Sequence, residues 1–265
     1  MSHSLGDLVT RHLAHLPIAL VAVLSIVLAA CSSTPAAPAL TDPKEIVTKG
    51  VTSLTAVKTF EFTGSFSGKV KVPQMGDFDL STVTMAGAID VTNKNLKFSL
   101  DAPSLLGTKI EALVVGNTAY YKLSGAVAMM VPGASADKFT KAEVPTASGD
   151  PMAVATDVTK AVAELQKLLD KLPTPPVKGA DEKCGDQDCY HVTSKLTAAD
   201  LKAMNPTAAE GEITFDLWTR KSDYRPARLS FSATSADMGT VGMTLEIKYD
   251  VPVSIAAPAA DQVAP

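Results

Sequence analysis

The sequence predicts an α+β fold: a large antiparallel sheet, apolar on one face, with two helices laid against that face. Three features lead there. Phe60, Phe62, Gly64, Phe66, Gly68, Val70 and Val72 alternate with Glu61, Thr63, Ser65, Ser67, Lys69 and Lys71, the period of two that gives a strand one dry and one wet side. The same alternation returns in segment after segment, separated by turn residues. Only two long stretches switch to helical spacing, near residues 43–57 and 151–172.

The chain begins with a polar stretch in which Arg11 is the only fixed cation, followed from Leu16 to Ala30 by residues without charge. About 15 apolar residues are short for a spanning helix, which needs about 20, and suit the apolar region of a secretory signal. The stretch ends in Leu28-Ala29-Ala30-Cys31, the lipobox pattern of bacterial lipoproteins. Small residues at 29 and 30 admit a peptidase, and the Cys31 thiol accepts a diacylglyceryl group; two acyl chains anchor a protein stably. Residues 1–30 are therefore expected to be a signal peptide and 31–41 a lipidated flexible tether, since Ser-Ser-Thr-Pro-Ala-Ala-Pro-Ala lacks the side chains for a core. An uncut signal-anchor helix is the alternative reading. The expected location is the outer face of the cytoplasmic membrane, with that membrane as partner through Cys31.

Residues 42–252 are expected to form one domain. Asp42-Pro43 opens a helix with Ile46, Val47, Val51, Leu54 and Val57 at helical spacing. Strands follow at Phe60–Val72, Val83–Val91, Leu96–Leu100, Ile110–Val115 and Ala119–Leu123, with Asn93-Lys94-Asn95 and Gly116-Asn117 as hairpin turns. Residues 124–150 mix Gly and Pro with Val127, Met129, Met130 and Val131, an irregular stretch of the kind that is usually functional or disordered. Val158, Ala161, Val162, Leu165, Leu168, Leu169 and Leu172 restore the helical period until Pro173, Pro175 and Pro176 stop it. A short helix over Thr197–Met204 is followed by three long strands, around Ile213–Leu217, Leu229–Ala233 and Val241–Tyr249. The Ala- and Pro-rich residues 253–265 read as a loose tail.

Composition narrows the function classes. A net charge of −4 gives no footprint for nucleic acid, and 5% aromatics leave few stacking platforms. Beyond Cys31 there are two cysteines, Cys184 and Cys189, which in an oxidising compartment pair as a structural clip across Gly185-Asp186. The spacing differs from Cys-x-x-Cys and holds no base, which argues against a redox pair. Behind the signal one histidine remains, His191, read as a strand residue. A metal site needs several clustered ligands, so no metal and no cofactor is expected. No Gly-x-Ser-x-Gly elbow or phosphate-cradling loop occurs, and the chain is read as non-enzymatic.

A sheet this large twists and curls, and two helices across its concave side need not fill it. A close-packed core is the ordinary outcome. The other outcome is an apolar cavity, helped by the small inward positions Gly64, Gly68 and Gly87. The expected lining is Phe62, Phe66, Val70, Met85, Ile89, Phe98, Ile213, Phe215, Leu229, Phe231, Met243, Leu245 and Ile247 of the sheet, with Val158 and Leu165 of the second helix. Met129, Met130 and Val131 form the expected entrance lip, because methionine adapts to varied shapes.

The lipobox, the domain size and strand order, and the Cys-turn-Cys hairpin together resemble the LppX/LprA/LprF/LprG family of lipoproteins, carried by bacteria with mycolate-type envelopes. Leu217-Trp218, followed by Pro226-Ala-Arg228 at the start of the next strand, resembles the wider LolA/LolB-like lipoprotein carriers. The likeness covers most of residues 42–252 and is one of pattern. It implies a strongly curved half-barrel sheet wrapped over the helices, holding acyl chains of an envelope lipid or glycolipid in transit between cytoplasmic membrane and outer envelope. It brings no catalytic signature. The competing reading is an accessory or scaffold lipoprotein with a membrane transporter as partner.

Overall fold

Each alternating segment is a strand, and all of them pair antiparallel. The computed structural model describes residues 39–72, 76–131, 133, 135–144, 158–204, 211–235 and 239–265. Every element below lies in one compact unit, Thr41–Pro265. Cys31 and the rest of the expected signal and tether lie outside the described residues.

Helix α1 spans Pro43–Ser53. Its start is written in the sequence: the Asp42 carboxylate accepts from the Lys44 N–H at 2.9 Å, Pro43 occupies the first turn, and Glu45 faces the positive end of the helix dipole. Strands β1 (Thr59–Val72), β2 (Gly76–Asp79), β3 (Thr84–Asp90), β4 (Asn95–Ala102), β5 (Thr108–Val115) and β6 (Thr118–Ser124) follow. Within residues 124–150, read as irregular, the short helix α2 (Ala126–Met130) and strand β7 (Thr140–Glu143) form. Helix α3 covers Val158–Asp170, the described part of the second helical stretch. Strands β8 (Val177–Lys178), β9 (Glu182–Cys184) and β10 (Gln187–Leu196), helix α4 (Ala198–Met204), and strands β11 (Glu212–Arg220), β12 (Pro226–Ser235) and β13 (Gly239–Tyr249) complete the fold.

The strands make one 13-stranded sheet in the order β7-β6-β5-β4-β3-β1-β13-β12-β11-β10-β8, with β2 on β1 and β9 on β10. The sheet is open, and helices α1 and α3 pack against each other across part of its apolar face. Register keeps that face continuous. Leu229, Leu245, Gly64, Met85, Leu100, Ile110 and Leu123 lie side by side on successive strands. A slip of one residue on any strand would turn its apolar set to water, so the alternation fixes the register. The opposite face carries cross-strand ion pairs, among them Lys122–Glu111 at 3.0 Å and Lys195–Glu212 at 2.9 Å.

Two glycines behave differently from the sequence reading. Gly64 and Gly87 do not open space, because neighbouring side chains lie over them. A Cβ built at Gly64 would stand 2.3 Å from Met85 Cγ, and one at Gly87 would stand 2.3 Å from Phe62 Cζ and 2.9 Å from the Lys97 carbonyl. Small and large positions interdigitate here as in an ordinary core. Gly68 is a backbone site: its φ of +90° marks where β1 leaves β13 and turns to pair with β2, which takes Val70 opposite Phe78.

Residues 253–265, expected to be loose, are held. The Phe139 N–H donates to the Gln262 carbonyl and the Ala264 N–H to the Phe139 carbonyl, both at 2.8 Å, in a parallel bridge. Residues 254–259 share a groove with Lys97, Ser99, Glu111 and Leu113 on the outer face of β4 and β5. Backbone hydrogen bonds need no large side chains, and proline favours the extended path, so a composition too poor for a core still makes a strap.

Cys184 and Cys189 are joined by a disulfide that closes the β9–β10 hairpin and is buried against Ala227 and Trp218. Replacing both cysteines by serine is expected to lower unfolding stability by about 2 kcal/mol, the chain-entropy value for so short a loop, and denaturant unfolding checks it. Gly87→Ala is expected to cost about 1–3 kcal/mol through overpacking against Phe62 and the Lys97 carbonyl. Unchanged thermal unfolding of that variant would contradict the packing described.

Candidate functional site

Beneath the helices the apolar face is not filled. Helix α1 contributes Val47 and Val51, and the turn after it Leu54 and Val57. Val158, Val162, Leu165 and Leu169 face in from α3. The sheet supplies the floor: Phe60, Ile89, Phe215, Leu217, Pro226, Leu229, Ile247 and Tyr249. Together they line a cavity of about 590 Å³ that is open to solvent on one side. On each helix the lining residues recur at intervals of three or four, the stripe that an amphipathic helix buries, but here the stripe faces a space.

The chemistry of the lining is uniform. Tyr249 brings its one side-chain heteroatom among the described residues, and that hydroxyl donates to the Pro226 carbonyl at 2.7 Å. Burial pushes the Tyr249 phenol well up, although the guanidiniums of Arg220 and Arg225 lie 5.2 and 5.5 Å from its ring centre. Those cations are paired in turn. Arg220 donates to Asp223, and Arg225 donates to Asp250, whose carboxyl it holds below the usual carboxylate range. The wall therefore presents hydrocarbon and no charge.

Beside the cavity runs a second groove of about 310 Å³ between the start of α1 and the end of α3, of mixed lining in which Pro43, Leu172, Pro175 and Pro176 join the polar side chains. Asp42, Lys44 and Thr48 line one side, Gln166 and Asp170 the other, and Val47 and Leu169 belong to both spaces. Lys44 and Asp170 reach across it at 3.5 Å, and Gln166 Nε2 donates to Thr52 Oγ1 at 3.3 Å.

No protein-family model and no curated protein sequence matches the chain significantly. Solved structures do. LprF from Mycobacterium bovis superposes with a TM-score of 0.51 at 14% identity, over 82% of this chain and 97% of its own. This is the LprF fold. The lipoprotein LppX from Mycobacterium tuberculosis gives a TM-score of 0.49 at 13% identity, over 84% of this chain and 100% of its own. Pseudomonas aeruginosa MucB, in complex with MucA, gives 0.37 at 12% identity, over 84% of this chain and 60% of that one.

Within the LprF fold, the sequence-derived lining divides. Ile89, Val158, Leu165, Phe215, Leu229 and Ile247 come together at the cavity. Phe62, Phe66, Met85, Phe98, Ile213, Phe231, Met243 and Leu245 sit on the same sheet face, half-buried, but outside the cavity lining, and Val70 has left with β2. The reason is position along the strands: α1 and α3 overlie only the end of the sheet marked by Phe60, Ile89 and Tyr249. Val47, Val51, Leu54, Val57, Phe60, Val162, Leu169, Leu217, Pro226 and Tyr249 line the cavity without having been singled out, although most belonged to stripes already read as inward. Met129 and Met130, 82% and 79% exposed, stand on α2 against β5 and β6, and neither they nor Val131 lines the cavity. The expected lip is not at this space, because the 124–131 segment is tied to strands beyond the helices.

On the outer face, His191 stacks on Trp218 with ring centres 4.4 Å apart, its Nε2 2.9 Å from Asp216 and its Nδ1 3.2 Å from Glu182. Both ring nitrogens are engaged, and the neighbouring inward residues Val192 and Leu217 face the other way. Arg228 lies over the same indole at 5.2 Å and reaches Glu246 at 2.6 Å. The Trp and Pro-x-Arg pattern thus builds a cross-strand stack on the surface. Among the described residues no group of His, Cys, Asp and Glu could hold a metal ion, and no helix is long and apolar enough to cross a membrane.

Proposed function

We propose that this chain is a non-enzymatic lipoprotein, anchored through Cys31 to the outer face of the cytoplasmic membrane, that holds the acyl part of an envelope lipid or glycolipid while it passes to the outer envelope. The observation that carries this reading is the cavity. The cavity is open to solvent on one side, so when it is empty its hydrocarbon wall is wetted, at a cost of about 25 cal/mol per Å² of apolar surface. Water offsets little of that cost, because a hydrocarbon wall offers no hydrogen bonds. An acyl chain removes it. At about 30 Å³ per methylene, near a water molecule's share of the liquid, 590 Å³ takes roughly 20 carbons, so the reading is of one chain rather than several.

The energetics suit a carrier. Each methylene gains about 0.8 kcal/mol on leaving water, but a chain leaving a bilayer was already in hydrocarbon. Transfer between membrane and protein is then nearly balanced, and loading and release both stay feasible. The scaffold reading draws on one feature, the exposed Met129-Met130 pair, which suits a protein contact.

Mass spectrometry of organic extracts from protein purified out of a lipid-rich host is expected to find about one acyl chain per molecule. Leu229→Trp and Ile247→Trp fill the cavity and should cut retained lipid about tenfold, a loss of roughly 1.4 kcal/mol. Phe66→Trp, outside the lining, should retain it. Absence of lipid from the parent protein, with membrane-partner crosslinks unaffected by the cavity variants, would favour the scaffold instead.

A further inference from the structure

We propose that the cavity takes an acyl chain bearing a hydroxyl group, and that the Tyr249 phenol is the residue that recognises it. This rests on the acyl-cavity reading and adds what a hydrocarbon wall leaves open, the kind of chain. Tyr249, at the end of β13, and Pro226, at the start of β12, both belong to the lining. The phenol donates to the Pro226 carbonyl at 2.7 Å, beside the point where the β11–β12 register shifts between Trp218 and Thr219. Ladder irregularities of this kind re-aim groups next to sites. Among the described lining residues the phenol is the one side chain that breaks the hydrocarbon, since every other is aliphatic or phenyl.

The balance of donors and acceptors sets the class of substituent. The phenolic proton is committed to Pro226, and burial pushes the ionisation of Tyr249 up, so the proton stays in place. The phenolic oxygen keeps its capacity to accept. A hydroxyl on the chain donates to it and is satisfied. A ketone, ester or ether oxygen has no proton to give. It lies unpaired against hydrocarbon, or it takes the Tyr249 proton and orphans the Pro226 carbonyl, and either outcome costs a buried hydrogen bond. An anionic group fares no better. Arg220 and Arg225 lie over the Tyr249 ring at 5.2 and 5.5 Å, but Arg220 donates to Asp223 and Arg225 to Asp250, so two guanidiniums face two carboxylates. The spot is neutral and accepting, which fits an alcohol and not a carboxylate.

The test is displacement of bound cis-parinaric acid, a fluorescent fatty acid, from the purified protein by stearic acids that carry a hydroxyl, keto or methoxy group at successive positions along the chain. For at least one position the alcohol is expected to compete at about tenfold lower concentration than its ketone or methyl ether. That ratio is read within each protein, so a general change in affinity cancels. Tyr249→Phe should bring it close to one, and Phe66→Trp, outside the lining, should keep it. A second reading needs no variant: the carbon NMR signal of the Tyr249 ring carbon that bears the hydroxyl should shift on binding the alcohol and not the ketone. A ratio near or below one at every position in the parent protein, a ratio that Tyr249→Phe leaves intact, or a Tyr249 signal indifferent to the alcohol overturns hydroxyl recognition while the acyl cavity stands. Failure of both cis-parinaric acid and plain stearic acid to bind overturns the cavity reading, and hydroxyl recognition with it.

Discussion

A sheet with one apolar face is stable only to the extent that something keeps water off that face, and here the sheet is wider than its cover. Eleven strands lie in continuous order, which at about 4.8 Å per strand gives a surface close to 50 Å across before it curls. Helices α1 and α3, of 11 and 13 residues, are roughly 16 and 20 Å long and about 10 Å thick. Two such rods side by side cannot seal that width. Where they lie, curvature holds them off the floor and a cavity results. Away from them, the sheet packs its own side chains into its own glycines.

That division explains the roles of residues that look alike in sequence. Phe60 and Phe62 are neighbours on one face of one strand, and their rings lie 6.5 Å apart. Phe60 faces the cavity, whereas Phe62 covers Gly87 and helps close the sheet surface where no helix reaches. The glycines belong to this second solution. The large side chains of the floor, not the small ones, surround the open space.

The faces of the long strands were legible in the sequence, because a period of two leaves only one consistent assignment and Phe60 through Val72 states it plainly, whereas the short strands β2 and β7 carry too few residues to show a period. The start of α1 was legible too, from Asp42-Pro43, as was the cysteine clip. What could not be read was how far along the strands the helices lie. That depends on which part of α1 meets β10 and β11, a contact between residues more than a hundred positions apart with no local signature. Phe66, Met243 and Phe231 were therefore grouped with Ile247 and Leu229, which share their face but not their cover. Val47 and Val51 show the opposite error: their helical stripe was recognised as buried, and a stripe facing a cavity has the same spacing as one facing a core. The tail from residue 253 was missed because composition reports on side chains, while its anchor at Phe139 is made by the backbone.

A hydrocarbon wall binds in proportion to the carbon it covers and discriminates poorly between chains of similar length. If Cys31 ties the chain to a bilayer, the cavity is surrounded by acyl groups at far higher local abundance than any one ligand, and the wall alone would admit them all. Selectivity then has to arise where the hydrocarbon is interrupted, as it is by the Tyr249 hydroxyl on the Pro226 carbonyl. The hydrocarbon also ends between the two helices, where Val47 and Leu169 pass to Thr48 and Asp170 within one residue on each helix. The helix pair that leaves the sheet incompletely covered is thus also the pair that sets the first polar side chains beside the gap, among the apolar Pro43, Leu172, Pro175 and Pro176.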